Sequence, residues 1–152
     1  MIERCEDLFA QLNEPGHLVG ISTNGFIKRD GRGVMGRGCA LTAAQMHPDL
    51  PLLLGQHLKA KGNVPGRLTT QSLSILGFQN TFLILPVKHN WYEKADVDLV
   101  IMSIRFLMEE SKNHPQVTFH VPRLGCGNGR LSWLLQVAHL MEPLPNNVVV
   151  HH

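Results

Sequence analysis

Apolar residues recur along this chain in two alternating rhythms. HLVGIST at 17–23 is a short apolar run of the kind that forms a buried strand, and the polar, glycine-rich loop NGFIKRDGRG follows it. From Val34 to His47 the spacing turns helical, and Pro48 closes the segment. DLPLLLGQHLKAKG at 49–62 predicts a second helix with Gly62 as its C-terminal cap. Residues 72–77 and TFLILPV at 81–87 alternate or run apolar, as strands do. Over 93–112, Val97, Ile101, Ile104 and Met108 share one face while Glu109, Glu110 and Lys112 stay polar, which predicts a long amphipathic helix. VTFHVP at 117–122 predicts a strand, Ser132 to Met141 a helix, and NNVVVHH a last strand. Strands alternating with helices predict a three-layer α/β/α domain around a mixed, mostly parallel sheet.

Such sheets bind ligands where the carboxyl ends of strands meet their connecting loops. Two glycine clusters fall at such strand-to-helix junctions, GRGVMGRG at 31–38 and GCGNG at 125–129. Glycine lets backbone N–H groups crowd around an anion, and a following helix adds its free amides and positive dipole end. Paired, the loops suit a diphosphate held between them. Gly31, Gly33 and Gly36 also spell GxGxxG, but the dinucleotide-binding context is missing. That motif needs an acidic residue ~20 positions on, at the end of the next strand. Here a helix-like segment follows Pro48, Asp49 ends no strand, and IKRD separates the glycines from the strand before them. GxxxxGK followed by Ser or Thr is absent as well, which argues against nucleotide triphosphate hydrolysis.

Composition adds exclusions more than assignments. At 152 residues, 43% hydrophobic and 17% charged, the chain reads as one globular domain over 1–152 without linker or repeat. No apolar run nears the ~20 residues of a membrane span, and MIERCEDLF lacks a secretion signal's layout, so a cytoplasmic protein without membrane partners is expected. Cys5, Cys39 and Cys126 fit no disulfide framework and read as small buried thiols. Nine histidines scatter without HxxxH or HExxH spacing, and His151–His152 reads equally well as a tag remnant, so no metal and no cofactor are expected. A net charge of +2 without a basic block leaves the choice of anionic partner open.

Among single residues, Lys88 stands out because it follows the apolar FLILPV, where burial of the stem would lower the amine's pKa and free it as a nucleophile or proton shuttle. A solvated lysine after a strand is the plainer reading. His89 could exchange protons near neutrality, and Trp91 could stack on a base or sugar or simply pack. Asn24 can donate and accept, or serve only as a turn residue before Gly25.

Together these segments resemble the macro domain family, over most of the chain. EDLF at 6–9 is similar to the family's opening motif, with Glu6 in place of the usual glycine, and STNG at 22–25 to its ribose-facing asparagine. GVMGRGCAL at 33–41, LPVKHNW at 85–91 and PRLGCGNGRLSW at 122–133 resemble the branch of the terminal ADP-ribose glycohydrolases and DarG-type DNA ADP-ribosyl glycohydrolases.

The resemblance implies an ADP-ribose site. Asp7 would bind the adenine amino group and Asn24 the distal ribose. Val34, Met35, Gly36, Arg37 and Gly38 would form the first diphosphate loop, and Gly125, Cys126, Gly127, Asn128 and Gly129 the second. Lys88 would act at the distal ribose, with His89 and Trp91 as possible neighbours. The implied activity is hydrolysis of ADP-ribose from a mono-ADP-ribosylated macromolecule, DNA or protein. The alternatives are a non-catalytic ADP-ribose reader and, further off, an ADP-ribose 1″-phosphate phosphatase or an NAD-binding protein. One departure bears on mechanism: lysine-nucleophile relatives carry an aspartate in the second loop, where this chain has Gly129.

Overall fold

The computed structural model describes residues 1–70 and 80–152; the strand expected at 72–77 lies outside them. The strands β1 (Ile2–Arg4), β2 (His17–Asn24), β3 (Gly66–Thr70), β4 (Asn80–Lys88), β5 (Thr118–Pro122) and β6 (Val148–His151) form one sheet in the order β1-β6-β5-β2-β4-β3. All neighbours are parallel except β3, which runs antiparallel to β4.

β4 is buried on both faces, which explains its unbroken apolar run. Phe82 and Ile84 join Val19, Ile21 and Leu68 in a core beneath α1 (Gly38–Met46) and α2 (Leu50–Lys61). Leu83, Leu85 and Val87 join Phe119 and Val121 beneath α3 (Val97–Asn113) and α4 (Ala138–Met141). The expected mixed, mostly parallel α/β architecture is what forms.

Several boundaries differ from expectation. α1 starts at Gly38 rather than Val34, because Arg37 is extended and Gly38 has φ +60°. α3 starts at Val97 because the Asp96 side chain accepts a hydrogen bond from the Asp98 N–H at 2.9 Å, capping the helix there. Its buried residues are Leu99, Val100, Ser103, Ile104, Leu107 and Ser111; Val97, Ile101 and Met108 lie at the margins, and Glu110 pairs with Arg67 of β3. Trp133–Val137 is a π-helical turn, opened by the Ser132 hydroxyl accepting from the Leu135 N–H, and only Ala138–Met141 is α-helical. β1 and β3, too short or too polar to signal themselves, were not expected. None of the cysteines is fully buried: Cys5 is exposed, Cys39 and Cys126 half-buried.

His151 is a buried residue of β6 and ends a row of three imidazoles crossing the sheet. His17 Nδ1 lies 2.9 Å from His120 Nε2, His120 Nδ1 lies 2.9 Å from His151 Nε2, and His151 Nδ1 lies 3.2 Å from the Glu6 carbonyl. The carbonyl can only accept, so His151 carries its proton on Nδ1. His151 Nε2 then accepts from His120 Nδ1–H, and His120 Nε2 from His17 Nδ1–H. The outer nitrogen of His17 lies 4.0 Å from the Glu14 carboxylate.

Burial first, then His151, His17 and Arg4 around it, hold His120 down to about 4, where an ordinary histidine titrates near 6.5. Between these values the unfolded chain binds a proton that the folded chain refuses. Stability is therefore lost as pH falls from 6.5 to 4, by on the order of 3 kcal/mol from this residue. Urea unfolding measured across that window will show the decline. His120→Gln, which can donate and accept but cannot titrate, will flatten it; an unchanged slope would remove His120 as its source.

Candidate functional site

β2, β4 and β5 end side by side, and their carboxyl ends open into a cavity of about 530 Å³. Its floor is Ser22, Thr23 and Asn24 from β2, Val87 and Lys88 from β4, and Pro122 and Arg123 from β5. The first glycine loop contributes Val34, Met35, Gly36, Arg37 and Gly38, and the second Gly125, Gly127, Asn128 and Gly129. Trp91, half exposed, stands on the rim.

The loops touch. A Cβ on Gly38 would lie 3.1 Å from Asn128 Nδ2, so the side chain of the second loop rests on the bare backbone of the first. Asn24 fixes the first loop from below: its Nδ2 donates to the Val34 carbonyl at 2.9 Å, and its Oδ1 accepts from the Phe26 N–H at 3.0 Å. α1 then begins at the cavity with no side chain capping it, and Gly38, Cys39 and Ala40 of its first turn line the wall. Free amides at a helix start favour an anion there.

Lys88 lies between the loops. Its Nζ donates to the Asn128 carbonyl at 3.0 Å and to the Trp91 carbonyl at 3.3 Å. Burial lowers its pKa most, and the guanidinium groups of Arg130 and Arg37 lower it further. Arg130 is held in the left-handed region at φ 64° by the tight second loop, in which its N–H donates to the Gly127 carbonyl at 3.0 Å. Gly129 admits no side chain there. An added Cβ would collide with the Gly125 carbonyl oxygen and lie 2.8 Å from Ala95 Cβ. Among the described residues no Asp or Glu lines the cavity, while Lys28, Arg37, Lys88 and Arg123 do.

Three residues singled out in the sequence lie elsewhere. Asp7 is exposed and accepts from the Phe9 N–H at 3.2 Å. His89 turns to Asp96, its Nε2 2.7 Å from the carboxylate, which holds Asp96 below the usual carboxylate range. Cys126 donates to the Leu124 carbonyl at 3.4 Å, and burial pushes its thiol up.

Conversely, Ser22, Thr23, Phe26, Lys28, Cys39, Ala40, Val87, Pro122 and Arg123 line the cavity without having been singled out. Arg123 is the most elaborately held. Its guanidinium carbon sits 4.8 Å over the Trp133 ring, Nη2 donates to Glu3 at 2.9 Å, and Nε is buried without a hydrogen-bond partner. The Thr23 hydroxyl is likewise buried and unpartnered. Its position right after strand β5, in PRLGCG, is the signal by which Arg123 could have been found.

No family model matches the chain. It is 28% identical over 116 residues, 66% of its length, to a DNA ADP-ribosyl transferase–DNA ADP-ribosyl glycohydrolase fusion protein of Thermosipho africanus, of which the match spans 30%. Thermosipho africanus DarTG in complex with ADP-ribose superposes on 96% of the chain with a TM-score of 0.74 and 24% identity, covering 39% of that protein. The macrodomain of Thermus aquaticus DarG superposes on 99% of the chain, and 96% of its own, at TM-score 0.71 and 20% identity. That of Mycobacterium tuberculosis DarG does so on 99% and 95%, at 0.70 and 19%. The chain has the macrodomain fold.

The electrostatics of this macrodomain cavity are open to direct test. Arg130→Asn removes a cation that lowers the Lys88 pKa while keeping a residue that tolerates a left-handed backbone. Acylation of Lys88, followed by peptide mass spectrometry across pH, will show its labelling profile moved toward alkaline pH in the variant. It will stay below that of an ordinary lysine, because burial and Arg37 persist. A profile that stays put would show that Arg130 does not act on Lys88.

Proposed function

We propose that this macrodomain binds ADP-ribose and hydrolyses the bond joining its distal ribose to a macromolecular acceptor, DNA or protein, with Lys88 acting at the anomeric carbon. The observation that carries the reading is Lys88 Nζ, held by the carbonyls of Trp91 and Asn128 in a cavity that both glycine loops line, with cations and, among the described residues, no carboxylate. A diphosphate suits the glycine loops and the uncapped start of α1, and Arg37 adds charge beside it. The names of the similar proteins, one a DNA ADP-ribosyl glycohydrolase fusion and one a complex with ADP-ribose, support the same ligand.

As a neutral amine, Lys88 gives its two N–H groups to the carbonyls of Trp91 and Asn128 and keeps a lone pair for the third tetrahedral direction. Nitrogen bonds to C1″ as the bond from C1″ to the acceptor breaks, and the acceptor leaves with one proton of the amine; the ring oxygen then leaves C1″ with the proton still on nitrogen, opening the adduct to a Schiff base. Water then cleaves the lysine–ribose adduct, which returns the amine and releases ADP-ribose.

Lys88→Ala will keep ADP-ribose affinity, measured by calorimetry, and lose release from ADP-ribosylated oligonucleotides and proteins by on the order of 10²–10⁴-fold. Cyanoborohydride will trap an adduct on Lys88 in the wild type alone. Unchanged release by Lys88→Ala would overturn the role of Lys88. The absence of a carboxylate from the lining favours a second reading, a module that binds ADP-ribose without cleaving it. Tight binding by the wild type with no release from any substrate of the panel decides for that reading.

A further inference from the structure

Lys88 leaves the sheet where the sheet is irregular. Along β2 and β4 the register is regular until Thr23, opposite Pro86; the next pair is Asn24 with Lys88, so Val87 is an extra residue in β4. A bulge of this kind re-aims the side chains that follow it. Here Val87 and Lys88, successive in sequence, both line the cavity.

Each carbonyl through the bulge is held. The Ser103 hydroxyl donates to Pro86 O at 2.8 Å and the Asp96 N–H to Val87 O at 2.8 Å. Lys88 O accepts from the Gly25 N–H at 3.1 Å and from Asn63 Nδ2 at 2.9 Å. Asn63 comes from the turn between α2 and β3 and reaches Lys88 through a slot left by Gly25. A Cβ on Gly25 would lie 2.8 Å from both Asn63 Cγ and Nδ2.

The orientation of this amide is dictated by its partner. A carbonyl accepts only, so Nδ2 must face Lys88, and Oδ1 is then buried without a hydrogen-bond partner. An apolar side chain of the same shape would fill the slot without that cost.

We infer that Asn63 is a positioning residue for Lys88: through its bond to Lys88 O, in the slot that Gly25 leaves, it sets the backbone from which the amine reaches the carbonyls of Trp91 and Asn128. The catalytic part of this inference rests on the function proposed above; the placement of the amine does not. Asn63 does not itself line the cavity and bonds to the backbone of Lys88, so its loss is expected at the amine and not in ADP-ribose affinity.

Asn63→Leu keeps the shape and drops the donor, and Asn63→Ala, which only removes atoms, serves if leucine does not fold. Acylation of Lys88 across pH, read by mass spectrometry, reports on the amine whether or not the protein is an enzyme. Arg37 and Arg130 face the amine and are unchanged in both variants, and His89 stays paired with Asp96. The expected result is a displaced Lys88 labelling profile with ADP-ribose affinity within about twofold of wild type. On ADP-ribosylated substrates kcat falls on the order of tenfold or more while KM holds. A Lys88 profile identical to wild type in a folded variant overturns the inference. If the wild type releases no ADP-ribose, the proposed function fails, and the labelling profiles still decide for or against Asn63.

Discussion

A strand buried on both faces cannot end in a charged residue without somewhere to put the charge, and β4 ends in Lys88. Phe82 and Ile84 face one core, and Leu83, Leu85 and Val87 the other. The amine must go forward, off the carboxyl end of the strand, and find acceptors there. Trp91 O and Asn128 O supply them, one from the segment that continues β4 and one from the second glycine loop. The loops are therefore parts of the arrangement that disposes of one charge, and their glycines permit the close approach that this requires.

That disposal is incomplete by design of the neighbourhood. Carbonyl dipoles favour the ammonium form, whereas burial, Arg130 and Arg37 oppose it, and the opposition prevails. Cations gathered without a counter-charge repel one another and cost stability. Arg123 escapes part of that cost through Glu3 and the face of Trp133, while Arg37 stays exposed to water. An anion between the loops would relieve the remainder, and the free amides at the start of α1 point the same way. Helix dipole, guanidinium charge and lysine thus act on one volume.

The elements that position this site were legible where burial imposes a period. β2, β4 and β5 show as apolar runs because both their faces are covered, and the site follows from where such strands stop. The start of α1 was not legible: helix-forming residues from Val34 are held out of the helix by Asn24, whose bond to Val34 O joins positions far apart in the fold's logic though close in sequence. The imidazole row was invisible for a similar reason. His17, His120 and His151 share no spacing and meet only because β2, β5 and β6 are neighbours. Asn63 shows the limit most clearly, since nothing local distinguishes an asparagine after a helix cap from one that grips a strand 25 residues on. Lys88 was legible because its signal, a charge at the end of an apolar run, is local.

The winding of the second loop bears on both Gly129 and the Lys88 amine. Arg130 occupies a backbone region that costs an L-residue roughly 1–2 kcal/mol. The loop keeps it because the winding is closed by the Leu131 N–H on Gly125 O at 2.9 Å and the Ala95 N–H on Gly129 O at 2.9 Å. The same winding brings the Gly125 carbonyl against Gly129, so no carboxylate can grow from that position, and it turns Asn128 O toward Lys88. A carboxylate in its place would pair with the ammonium and hold the proton on the amine. A neutral carbonyl orients the amine with a far weaker hold on that proton. On the proposed chemistry, the loop thus gives up a residue that would assist water in exchange for an amine that is more readily unprotonated, and the strain at Arg130 is part of the cost of that winding.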